Sequence, residues 1–71
     1  MKVKLGERLK ELRARDNISQ AKLAEQIGID NAMIAHVERG KSLVSIPVLI
    51  LLAKIFNVST DYLLGLKDTR D

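Results

Sequence analysis

The chain reads as an all-α domain, and three features carry that reading. Only one Pro and four Gly punctuate 71 residues, apolar side chains recur at helical rather than alternating spacing, and residues 19–40, SQAKLAEQIGIDNAMIAHVERG, hold two short helices almost back to back. In that stretch Ser19 offers a side-chain oxygen to an orphan amide at a helix start. Leu23, Ala24 and Ile27 follow at helical spacing, and Gly28 stops the run. Asp30 can cap a second helix, with Ile34 and Val37 facing inward until Gly40 ends it in the left-handed conformation. Helices this short and this closely joined cannot lie antiparallel and must cross steeply.

Composition bounds the function classes. A content of 46% hydrophobic and 30% charged residues excludes a disordered chain. Seventy-one residues make one small domain that buries only roughly 60% of its unfolded surface. With no Cys and one His there is neither a disulfide frame nor a metal-ligand set. No glycine-rich phosphate loop and no carboxylate cluster at metal spacing is present, so an enzyme fails on inventory and no cofactor is expected. The opening MKVKLGERLK lacks an apolar signal core, and the longest apolar run, residues 43–53, is broken by Ser45 and Pro47 well short of the ~20 residues of a bilayer span. The expectation is therefore a cytoplasmic protein with no membrane partner, and Met1 reads as a natural start of a whole protein. Net charge is +3, with six basic against two acidic side chains in the first fifteen residues. Such an excess permits nucleic-acid binding without demanding it.

Taken in order, residues 1–4 form a short basic arm. The first helix puts Leu5, Leu9 and Leu12 on one stripe. Glu7, Arg8, Lys10, Glu11 and Arg15 take the other faces as a solvated surface, where the Glu7–Lys10 and Glu11–Arg15 spacings are worth ~0.2–0.5 kcal/mol each; the alternative, less favoured, is that this face adds a diffuse positive field near a phosphate backbone. Asp16 and Asn17 make a turn that Ile18 anchors in the core. The second helix spans Gln20 to Ile27, with Lys22 where an acidic residue would complete a capping box and small Ala24 where the next helix must cross closely. The third runs Asn31 to Arg39, with Met33 read as a packing residue, and is followed by a loop with Lys41 and Ser42 at its tip. Ser45 caps a fourth helix that tolerates Pro47 in its first turn and runs to about Phe56.

That fourth helix is apolar nearly all round. Ile46, Leu49, Ile50, Leu52, Ala53 and Phe56 suffice to face the core, leaving Val48, Leu51 and Ile55 as a second stripe that needs either full burial or a partner. Asn57 ends the helix, Ser59 caps a last short one with Asp61 near its positive end, and Leu63, Leu64 and Leu66 close the core. The domain spans residues 1–66, with residues 67–71 as a frayed polar tail.

Four segments, LGERLKELR at 5–13, SQAKLAEQIGI at 19–29, IAHVERGK at 34–41 and LLAKIFNVSTDYLLGL at 51–66, together resemble the XRE-type helix-turn-helix domain. This is the compact five-helix, lambda-repressor-like fold of the Cro/CI phage repressors and many small bacterial regulators. The resemblance implies that the third helix lies in the DNA major groove while the second crosses the backbone. Carried over by position, it places Gln20 at a phosphate, Asn31, Ala32, Ala35 and His36 in the groove, and Arg39, Lys41 and Ser42 on flanking phosphates. It also makes Arg13 and Glu38 an internal salt bridge, and puts a dimer surface at Val48, Leu51, Ile55, Val58, Thr60 and Tyr62.

Asn can pair bidentately with an adenine edge, His can donate to guanine, and an Ala methyl can touch a thymine methyl. Relatives commonly carry Arg, Gln, Ser or Thr where this chain has Asp30, Ala32, Met33 and Ala35, so the reading face is sparse. The less favoured alternative for Asn31 and His36 is that of exposed helix residues with no contact. The function implied is a sequence-specific DNA-binding transcriptional regulator, a repressor that binds double-stranded DNA at a pseudo-palindromic operator as a homodimer. The alternative is a protein-interaction module, an antitoxin-like or regulator-modulating partner that uses the apolar face of the fourth helix.

Overall fold

A computed structural model describes residues 3–69, so Met1 and Lys2 of the basic arm and Arg70 and Asp71 of the tail lie outside the described residues. Among those residues the order is α1 (Leu5–Asp16), α2 (Gln20–Ile27), α3 (Asn31–Glu38), α4 (Ile46–Phe56) and α5 (Thr60–Leu64). The starts of α2 to α5 have a local cause. Ser19, Asp30, Ser45 and Ser59 have extended backbones, and their side chains accept from Lys22, Ala32, Val48 and Tyr62 amides respectively, each satisfying an orphan donor of the helix start.

Four of the five C-terminal ends share one device, and α3 ends in the same way at Gly40 (φ 76°) with the Lys41 amide reaching back to the His36 carbonyl, although Lys41 is not apolar. Asn17, Gly28, Asn57 and Gly65 adopt positive φ, and each is followed by an apolar residue, Ile18, Ile29, Val58 or Leu66, whose amide reaches back to a carbonyl of the last turn. This is the Schellman closure, in which the residue after the left-handed one turns back toward the helix it ends. Asp16 is still helical, so the turn after α1 is made by Asn17 alone.

The core gathers Leu5, Leu9 and Leu12 of α1, Leu23 and Ala24 of α2, Ile34 and Val37 of α3, and Leu52, Ala53 and Phe56 of α4, with Val58, Tyr62 and Leu63. α1 packs on α3 and α5, and α2 packs on α3 and α4. Consequently α3 is held on its inner side by two helices while its outer side faces solvent.

Several expected placements are corrected. Ile46 and Ile50 are exposed rather than core residues, at 73% and 44% of their full surface. In a domain this small the core closes over one stripe of α4, that of Leu52, Ala53 and Phe56, and Ile46 and Ile50, at i and i+4, share a side of the helix outside it. Leu66 is also exposed. Val58 and Tyr62, assigned to a dimer surface, lie inside the core, because the Schellman turn after α4 folds Val58 inward and α5 packs Tyr62 against α1. Arg8 is buried instead of solvated. Its Nη1 donates to the carbonyls of Tyr62 (3.1 Å) and Lys67 (2.9 Å), its Nη2 meets Asp68 at 3.4 Å, and the guanidinium lies 4.0 Å above the Tyr62 ring. The start of the polar tail is thereby fastened to α1. Arg15 pairs with Asp16 and donates to the Phe56 carbonyl at the end of α4, not with Glu11. No helix of the described residues is long and apolar enough to cross a membrane.

Candidate nucleic-acid interface

The arrangement is built on α3. Ile34 and Val37 are fully buried and fix its inner face. On the outer face, one turn and two turns along, Asn31, Ala32 and His36 are exposed and Ala35 is half-buried, so the four residues expected in a groove do share one side of the helix. Met33 is half-buried, between the two faces. Asp30 Oδ1 accepts from the Ala32 amide at 2.9 Å, which engages its carboxylate as the α3 cap. Arg39 and Lys41 are exposed and Ser42 half-buried in the segment that leaves α3.

Beneath α3 sits a three-residue network. Arg13 of α1 grips Glu38 of α3 through both carboxylate oxygens, with Nη2 to Oε1 at 2.8 Å, and also donates to the Ile18 carbonyl. Gln20, the first residue of α2, donates from Nε2 to Glu38 Oε1 at 3.0 Å. A single carboxylate therefore ties together the three helices that set the motif's geometry. Burial pushes the Glu38 carboxyl upward, but the hydrogen bonds from Arg13 and Gln20 and the Arg13 charge outweigh it, leaving the group below the usual carboxylate range. The forked guanidinium matches a carboxylate as an ammonium cannot.

Two residues that matter to this geometry carried no signal as site residues. Gly6 of α1 lies against the last turn of α3, and Arg8 locks α5 and the following chain to α1. Of the dimer set, Leu51 is exposed and Val48, Ile55 and Thr60 are half-buried. The apolar surface that α4 and its preceding loop expose is made of Leu43, Ile46, Ile50 and Leu51.

A family model described as helix-turn-helix matches residues 9–63 of this chain. The chain belongs to the XRE-type helix-turn-helix family. It is 41% identical over 61 residues to the HTH-type transcriptional regulator ImmR of Bacillus subtilis (strain 168), an alignment covering 86% of this chain and 48% of ImmR. The chain thus spans about half the length of that relative. Among solved structures it is similar to the restriction-modification controller protein C.AhdI from Aeromonas hydrophila, with a TM-score of 0.75 and 38% identity over 86% of this chain and 92% of that one. It is also similar to the N-terminal DNA-binding domain of SinR from Bacillus subtilis, with a TM-score of 0.77 and 29% identity over 86% and 90% of the two chains. The helix-turn-helix fold is therefore the lambda-repressor-like one, and the family is one of transcription regulators rather than enzymes.

Proposed function

We propose that this helix-turn-helix domain binds double-stranded DNA as a symmetric homodimer and represses transcription from a pseudo-palindromic operator. One observation carries the reading: α3 presents Asn31, Ala32, Ala35 and His36 outward on a helix whose inner side is locked by Ile34, Val37 and the Arg13–Glu38 pair. A rigidly held helix face is what base readout requires, because contacts must be placed to within about 0.5 Å. Asn31 is suited to adenine, His36 to guanine and the Ala methyls to thymine, each good bidentate pair discriminating by ~1–3 kcal/mol. Arg39, Lys41 and Ser42 hold the flanking phosphates. Gln20, oriented by Glu38, keeps a second Nε2–H for a phosphate at the start of α2. So few base contacts make the affinity lean on phosphates and on two half-sites ~34–36 Å apart.

In this reading the second copy meets α4, with Leu51 joined by Leu43, Ile46 and Ile50. Val48, Ile55 and Thr60 lie at the margin, and the buried Val58 and Tyr62 act only by shaping that surface. Selection of bound duplexes from a random pool, read at two salt concentrations, tests the proposal. A two-fold-symmetric consensus is expected. Binding that falls steeply with salt yet yields no consensus overturns the operator reading.

The exposed apolar residues of α4 also favour the second reading, a protein-interaction module. The two separate by substitution. Asn31→Ala with His36→Ala abolishes selective DNA binding if α3 reads DNA, whereas Leu51→Asp weakens it through loss of the dimer. If Leu51→Asp removes only the binding of a protein partner and the α3 double variant changes nothing, the interaction module is the function.

A further inference from the structure

Helix α1 starts without a side-chain cap, and what stands against its first turn is the end of another helix. A β-carbon built on Gly6 would lie 2.4 Å from the Val37 carbonyl oxygen and 2.9 Å from that of Glu38. Both atoms are backbone in the last turn of α3, so neither can swing aside. Gly6 is itself within a regular helix, where glycine costs roughly 0.5–1 kcal/mol relative to alanine, and backbone freedom does not explain it. Space does. Only a residue with no side chain lets the positive end of α1 approach the negative end of α3, an arrangement that the two helix dipoles favour. The same turn of α3 is gripped by Arg13 through Glu38. Two α1 residues, Gly6 and Arg13, thus determine where α3 sits.

We infer that Gly6 is a positioning residue for base recognition: its missing side chain sets how far α3 stands out from the domain, and so the depth at which Asn31, Ala32, Ala35 and His36 enter the groove. The inference rests on α3 being the reading helix. Relieving a 2.4 Å contact to the 3.4 Å of ordinary packing moves the end of α3 by about 1 Å, beyond the ~0.5 Å that a recognition contact tolerates. Ala35 and His36, next to the contacted carbonyls, take that shift most directly; the short Ala35 side chain has no reach to offset it, whereas long, exposed Arg39 and Lys41 side chains do.

The test is the ratio of affinities for a selected duplex and a random duplex, measured for wild type and Gly6→Ala at one salt concentration and at a temperature where circular dichroism shows both folded. A role confined to folding lowers the active fraction and scales both affinities alike. The expected result is a ratio lower by about tenfold, comparable with a mismatched base pair, with random-duplex affinity within about threefold of wild type. Should Gly6→Ala not fold, Arg13→Lys loosens the same turn without a clash and must show the same fall. An unchanged ratio in the folded variant overturns the inference. A wild-type ratio near one is a different result, which overturns the reading of α3 and the inference together.

Discussion

Replacing Arg13 by Met tests the network beneath α3 most sharply. The Glu38 side chain is 4% exposed and that of Arg13 16%, so Arg13→Met leaves a buried carboxylate with Gln20 as its remaining hydrogen-bond donor and frees the Ile18 carbonyl that Arg13 also holds. Breaking one side of a buried pair costs about 3–5 kcal/mol. A domain of this length has a total stability of about 4–10 kcal/mol, so the variant loses a large share of it, and its midpoint temperature falls by roughly 12 °C or more at ~4–8 °C per kcal/mol. Removing both charges is different in kind. Arg13→Met with Glu38→Leu leaves no buried ion, and the residual cost, about 1 kcal/mol for each lost hydrogen bond, comes from Gln20 and the Ile18 carbonyl left without these partners. Urea unfolding of wild type, both single variants and the double variant gives the coupling energy, expected to exceed about 2 kcal/mol. A single variant within about 1 kcal/mol of wild type, or strict additivity in the double, refutes the reasoning.

Two further outcomes follow from the same structure. Because the folded state holds the Glu38 carboxyl below its usual range, the unfolded chain takes up the proton first as pH falls. Stability therefore rises with pH across that window, is fully present above the ordinary glutamate value of about 4.3, and is lost as pH falls through the lower folded value. Urea midpoints on acidification should show this component in wild type and lack it in Glu38→Gln. Arg8→Met removes the donors to the Tyr62 and Lys67 carbonyls and to Asp68 at a cost of roughly 2 kcal/mol. Hydrogen exchange at residues 66–69 should quicken, and equal exchange in the variant would show that Arg8 does not fasten that segment.

The legible parts of this domain were those whose cause lies within a few residues. Ser19, Asp30, Ser45 and Ser59 cap because their side chains reach an amide two or three positions on. Asn17, Gly28 and Asn57 end helices because they adopt the left-handed conformation at little cost. The grouping of Asn31, Ala32, Ala35 and His36 on one side of α3 is a consequence of helical period alone. The Arg13–Glu38 pairing is 25 residues apart in sequence and was visible only through resemblance to a known family, since charge and spacing by themselves do not bring those residues together.

Arg8 shows where local reading stops. Its place among Glu7, Lys10 and Glu11 is that of any solvated helix residue, yet chain 54 to 60 residues away folds over it and supplies its acceptors. Gly6 is silent in the same way, because a glycine in a helix does not announce which carbonyls will lie against it. Along α4 the apolar pattern is continuous, so period could not choose a face. The neighbours chose it, burying Leu52, Ala53 and Phe56 against α2 and α5 and leaving Ile46 and Ile50 outside.

The sequence by itself determined the five helices, their caps and stops, and which residues share the outer side of α3, all of which follow from hydrogen bonds and periodicity over one or two turns. Only the tertiary structure decided that Arg8, Val58 and Tyr62 lie inside, that Ile46 and Ile50 lie outside, and that α3 is seated on the bare backbone of Gly6. Burial depends on atoms brought from distant parts of the chain, and no local pattern encodes their arrival.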